Sequence, residues 1–127
     1  MEYAIKKELN CSYEEAIEKV KEELSKEGFG ILTQIDVKAT LKKKIDVDIE
    51  KYIILGACNP SFAFEALKAE QDLGLLLPCN VIIYEKENRI YVNAIDPAVG
   101  MAFVENLKLE SIAKEVRDKL LNVIHNL

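Results

Sequence analysis

The chain has 127 residues and a mass of 14.4 kDa, with 17 Lys and Arg against 22 Asp and Glu, giving a formal net charge of −5. Half of it is apolar and 31% is charged, which fits one soluble globular domain rather than a disordered or fibrous chain. The acidic balance argues against a nucleic-acid partner, because phosphate neutralisation is the main source of duplex affinity.

The longest apolar runs, Leu73 to Leu77 and Val81 to Tyr84, fall far short of the roughly 20 residues that cross a bilayer, so no membrane partner is expected. Met1 to Lys7 interleaves charged and apolar residues and lacks the apolar centre of a signal peptide. The expected location is therefore cytoplasmic, where thiols stay reduced. Three cysteines, Cys11, Cys58 and Cys79, make an odd count and a poor disulfide framework.

Glu2 to Leu9 alternates in part and predicts an opening strand. Ser12 and Glu15 have capping-box spacing, and Tyr13, Ala16, Ile17, Val20 and Leu24 follow as one apolar stripe ended by Lys26 and Gly28. Phe29 to Asp36 is strand-like, with Ile31, Thr33 and Ile35 expected on one face. Asp36 to Ile45 reads as a short helix whose Lys42, Lys43 and Lys44 sit where the dipole favours cations. Tyr52 to Ala57 reads as a buried strand, and Asn59-Pro60 as a cap followed by a first-turn proline. Asn80 to Glu85 and Ile90 to Ile95 flank the polar turn Lys86 to Arg89 and form a hairpin. Asp96-Pro97 repeats the cap-then-proline signal, and Glu110 to Asn126 carries the longest apolar stripe. The order β-α-β-α-β-α-β-β-α predicts a single α+β domain over residues 1–127, with a mixed sheet and helices on one main face.

Two segments share a feature that bears on chemistry. Gly56-Ala57-Cys58-Asn59-Pro60 and Leu77-Pro78-Cys79-Asn80-Val81 each set Cys-Asn beside a proline at a strand edge. The 21-residue separation of Cys58 and Cys79 matches no standard zinc motif. Cys58 stands just before a helix N-terminus, where the dipole favours a thiolate. Neighbouring strands would bring Cys79 to it, making a pair of soft ligands or redox thiols. Equally, unpaired cysteine is among the most buried residue types, and both could simply be core. Met101 is a third candidate ligand for a soft metal such as Cu(I), with core filling as the bland reading.

Asp36 and Asp96 each end a strand and begin a helix, which suits capping better than proton transfer. If Asp36, Asn59 and Asp96 cap helices at one sheet edge, three N-termini converge where a small anion could sit. His125, the only histidine, lies on the last helical turn and reads as a dipole-compensating residue. No phosphate loop, nucleophile elbow or zincin motif occurs, and no cofactor fingerprint is identified.

Gly28 to Lys38, followed by Ile54 to Pro60, Gly74 to Val81 and Ala94 to Pro97, resembles the "domain of unknown function 302" family over nearly the whole chain. The family's signature positions correspond here to Asp36, Cys58, Asn59, Pro60, Pro78, Cys79, Asn80, Asp96 and Pro97. The resemblance implies a small α+β domain, typically a homodimer, and no particular reaction. Three functional readings follow. The first is a homodimeric module binding a small ligand or soft metal at Cys58, Asn59, Cys79 and Asn80, with Asp36 and Asp96 nearby. The second is a thiol enzyme with Cys58 as nucleophile and Cys79 as resolving thiol. The third is a structural or interaction domain.

Overall fold

Apolar alternation on five short segments and helical stripes on the others dictate two layers, and the computed structural model shows how they are joined. The structure describes residues 2–127. Strands β1 (Ala4–Leu9), β2 (Gly30–Asp36), β3 (Tyr52–Cys58), β4 (Cys79–Lys86) and β5 (Arg89–Ile95) form one sheet in the order β1-β5-β4-β3-β2. Every neighbouring pair is antiparallel, so the sheet is not mixed as expected. Alternation fixes which face of a strand is buried but not the direction of its neighbour.

Helix α1 (Tyr13–Lys26) buries Ala16, Val20 and Leu24. Two 3.1 Å bonds tie the expected capping pair at its start: the Glu15 amide donates to Ser12 Oγ, and the Ser12 hydroxyl donates to Glu15 Oε1. At the other end Phe29 N–H reaches Leu24 O and Gly28 N–H reaches Ser25 O, with Gly28 at φ +86°. These are the two bonds of a Schellman stop, which needs a left-handed residue at that position. Helix α2 (Val37–Ile45) buries none of its side chains and ends at the left-handed Asp46.

Helix α3 (Pro60–Ala69) runs into a 3-10 turn (Gln71–Leu76), which the sequence did not announce. Glu87 and Asn88 both have positive φ at the β4–β5 turn, as a tight hairpin requires. A four-residue helix α4 (Pro97–Gly100) and the long α5 (Leu107–His125) complete the fold.

One sheet face carries Leu55, Val81, Ile83, Val92 and Ala94, all buried against α1 and α5. The other face carries no helix of the main core. There Tyr52, Tyr84 and Tyr91 stack across three strands with ring centroids 5.4 and 5.3 Å apart. Ile35, Ile54 and Ile82 lie in register beside them. The sheet is irregular at one point: Ile31 opposes Ala57, Thr33 opposes Gly56, and Leu32 between them is unpaired. This bulge turns Ile31 towards the core and Thr33 and Ile35 away from it, so the three do not share a face as expected. Among the described residues, no helix is long and apolar enough to cross a membrane.

Candidate functional site

Antiparallel register sets which strand ends meet. Ala57 opposes Cys79 and Val81 opposes Ala94, so the end of β3, the start of β4 and the end of β5 share one edge of the sheet. Cys58, Cys79 and Asp96 are gathered there. Asp36 is not: it opposes Ile53, four residues back along β3 from Ala57, roughly 13 Å away at strand rise. The expected convergence of Asp36, Asn59 and Asp96 therefore does not occur, because an antiparallel β2–β3 pair sends their C-terminal ends to opposite edges.

At its own edge Asp36 caps α2, accepting from the Ala39 amide at 2.9 Å. It also lies near Tyr13, whose phenol is pushed up to about 12, mainly by burial and then by the charges of Asp36 and Glu14. Asp96 is buried and both of its oxygens are engaged. Oδ1 accepts from the Ala98 amide at 3.0 Å, and Oδ2 accepts from Arg117 Nε at 2.9 Å. The pair pins α4 to α5 and raises the Arg117 guanidinium above its ordinary value. Capping, rather than proton transfer, accounts for both carboxylates. Arg117 carries no motif, and only the structure pairs it with Asp96.

Asn59 departs from its expected role. It makes no side-chain cap on α3; instead its Nδ2 donates to Glu27 O at 3.2 Å, satisfying a carbonyl at the end of α1. Asn80 opposes Gly56 on the outer face. It lines the open groove with Tyr3, Tyr52 and Tyr84, and a hollow of about 300 Å³ beside Cys79, but not the cavity in which the two cysteines meet.

That cavity has a volume of about 360 Å³, at the lower end of the range typical of ligand pockets. Ala57 and Cys58 of β3 and Cys79 of β4 line it with Phe29 and Leu32. Phe62, Ala63 and Ala66 of α3, Leu109, Ile112 and Ala113 of α5, and Met101 complete the lining. The alanines explain why space remains: a longer aliphatic side chain at Ala63, Ala66 or Ala113 would fill it. Cys58, Cys79 and Met101, the candidate soft-metal set, thus open on one hollow together with Asn59.

Cys79 is buried and Cys58 half-buried, and all three cysteines are free thiols. Burial pushes the Cys79 thiol from 9.0 up to about 11, and neighbouring Cys58 adds to the rise, so Cys79 stays protonated at neutral pH. Among the described residues, no cluster of three or more His, Cys, Asp or Glu side chains is placed to hold a metal ion. His125 sits at the end of α5, where its carbonyl accepts from Lys7 Nζ at 3.2 Å, remote in role from the cysteines.

The architecture defines a class: a five-stranded antiparallel sheet, helices over one face, and a thiol-lined apolar cavity at one edge. The family model described as "Domain of unknown function DUF302" matches residues 5–127, and the chain belongs to that family. It is similar to the crystal structure of the uncharacterized conserved protein DUF302 from Bacillus stearothermophilus, with 25% identity and a TM-score of 0.91. The match covers 97% of this chain and 96% of that one. No curated protein matches the chain.

Proposed function

We propose that the chain is a small-ligand-binding module of the cytosol whose site is the cavity beneath α3 and α5. The observation that carries this reading is the meeting of Cys58, Cys79 and Met101, from three separate segments, on one hollow of about 360 Å³. The hollow opens partly to solvent, and its lining is almost wholly apolar, as the lining of small-molecule sites commonly is. The test is protection of the thiols. A molecule seated in the cavity should slow alkylation of Cys58 and Cys79 by a neutral reagent and leave Cys11 unaffected. Unchanged rates with every candidate occupant would remove the reading.

A soft monovalent metal is the second occupant, supported by two thiols and a thioether on the same cavity. The protonated Cys79 weighs against it, because binding must first expel that proton from a buried site. Metal analysis of freshly isolated protein, repeated on Cys79→Ser, decides it; equal metal content in both would discard this occupant. The redox reading rests on the same pair: Cys58 would attack a substrate disulfide and release one thiolate, and Cys79 would release the other by closing a Cys58–Cys79 disulfide. It requires Cys58 to be alkylated rapidly below neutral pH, and inertness until denaturation would end it.

The homodimer belongs to the proposal as well. The uncovered sheet face presents Tyr3, Tyr52, Tyr84, Ile54 and Ile82 with Lys6 and Glu50 at its margins. A second copy packed on it by a two-fold axis would bury that apolar centre and match its mixed charges. Light scattering should give twice 14.4 kDa, and a monomer mass would reject the dimer.

A further inference from the structure

Resting on the reading of the cavity as a ligand site, we infer that its occupant is an uncharged molecule with a hydrocarbon body, held by shape and apolar contact rather than by hydrogen bonds.

The lining chemistry carries this. Among the described residues, no Asp, Glu, Lys, Arg or His lines the cavity. Its one amide side chain, Asn59, is tied to the frame of the fold, giving one of its N–H donors to Glu27 O at 3.2 Å. The ion pair of Asp96 with Arg117, adjacent in sequence to the lining residues Pro97 and Val116, is matched within itself at 2.9 Å and does not line the hollow. No buried side-chain nitrogen or oxygen among the described residues lacks a hydrogen-bond partner. A site built for a polar ligand keeps buried polar groups in reserve for it, and these are costly when unpaired. Here no charged side chain and no buried unpaired polar atom waits for a carboxylate, phosphate or sugar, and a charged group entering the cavity would lose hydration with no ion to compensate it.

The two walls fit the same class. Phe29 and Phe62 contribute aromatic rings to the lining, while Ala63, Ala66 and Ala113 are short side chains that leave room for a chain or ring. The sulfurs of Cys58, Cys79 and Met101 are polarizable contact surfaces, well suited to hydrocarbon and aromatic groups. An aliphatic chain and an aromatic ring share this chemistry, and the experiment separates them.

The test is thermal unfolding of the full chain with 1-decanol, naphthalene, decanoate, inorganic phosphate or Cu(I). The inference expects stabilisation by 1-decanol or naphthalene, by about 10 °C at a hundredfold excess over Kd for a chain of this size. Whichever of the two acts more strongly identifies chain or ring. Phosphate should have no effect, and decanoate should act at least tenfold more weakly than decanol. Ala63→Leu on α3 and Ala113→Leu on α5 each add bulk to the lining of the cavity. Either one, folded with an unchanged or raised midpoint, should abolish the decanol or naphthalene shift. Stabilisation by Cu(I) alone, or by decanoate more than decanol, overturns the hydrocarbon class while leaving a ligand site in place. No shift with any probe, with thiol alkylation rates also unchanged, overturns both. A decanol shift that survives both filling variants overturns it too, since the alcohol then binds elsewhere.

Discussion

The side-chain amide of Asn59 donates to the backbone carbonyl of Glu27 at 3.2 Å, so the residue that begins α3 is spent on ending α1. Gly28 is part of the same joint. It adopts φ +86°, and a Cβ there would sit 3.1 Å from Asn59 Nδ2. The tie holds the first helix, the start of β2 and the cysteine-bearing end of β3 together, and with them one side of the cavity.

Asn59→Ala should therefore cost about 1 kcal/mol, the net worth of one hydrogen bond. Gly28→Ala should cost about 1 kcal/mol or more from backbone conformation alone. Combining the two should come out less than additive, because the shortened Asn59 relieves the contact with the new methyl. Urea unfolding of the two single variants and the double variant measures this, and strict additivity would show that the joint is not shared.

Gly56 is predicted to be intolerant of a side chain for a different reason. A Cβ there would overlap Thr33 Oγ1 and lie 2.7 Å from Pro78 Cγ. Gly56→Ala should lose about 2 kcal/mol through overpacking. Thr33→Ala should recover part of that loss in the double variant, while Pro78 keeps the remainder. Equal stability of Gly56→Ala with and without Thr33→Ala, read from denaturant midpoints, would contradict this geometry.

Asp96 is expected to be structural. Asp96→Ala removes the α4 cap and the buried partner of Arg117 together, and should lower stability by about 2 kcal/mol, or roughly 8 °C in the midpoint. Asp96→Asn keeps an acceptor for Ala98 and should lose less. Calorimetry of the two variants checks the order, and an Asn variant no better than Ala would place the whole effect in the charge.

Stability should fall at alkaline pH through Cys79. Its folded value lies near 11 against 9.0 for an unperturbed thiol, so between those values the folded chain holds a proton that the unfolded chain has released. The unfolded state then binds fewer protons, and unfolding free energy declines as pH rises, by about 2 kcal/mol across the window. The contribution is complete below pH 9 and gone above 11. Cys79→Ala should flatten the decline between pH 9 and 10, below the range from 10.0 to about 12 where Tyr13 adds a fall of the same sign. Parallel slopes for the two proteins in denaturant titrations would count against a buried neutral thiol.

The sequence makes some of this plain and hides the rest for identifiable reasons. Stripes such as Ala16-Val20-Leu24 and Ala113-Val116-Leu120-Val123 mark core faces because helical period and burial coincide. Gly28, Asp36 and Asp96 announce helix ends because few residue types satisfy a left-handed stop or an N-cap. Asn59 carries the same signal and is spent elsewhere, since a capping side chain that finds a tertiary acceptor need not cap. The bulge at Leu32 leaves no mark, as one unpaired residue preserves local composition while reversing the faces on either side. Strand direction is equally hidden, and with it the separation of Asp36 from Cys58. The cavity itself lies behind alanines, which read as ordinary core in a sequence and become walls only when α3 and α5 are seen opposite each other.

The site requires the hollow lined by α3 and α5 to be apolar and open to a small guest. Diffraction from crystals pressurised with xenon tests it most directly, because xenon enters apolar cavities and little else. The expected result is a xenon peak in contact with Cys79 and Ala113. Ordered water filling that space, or side chains collapsed across it with no peak, would contradict the account.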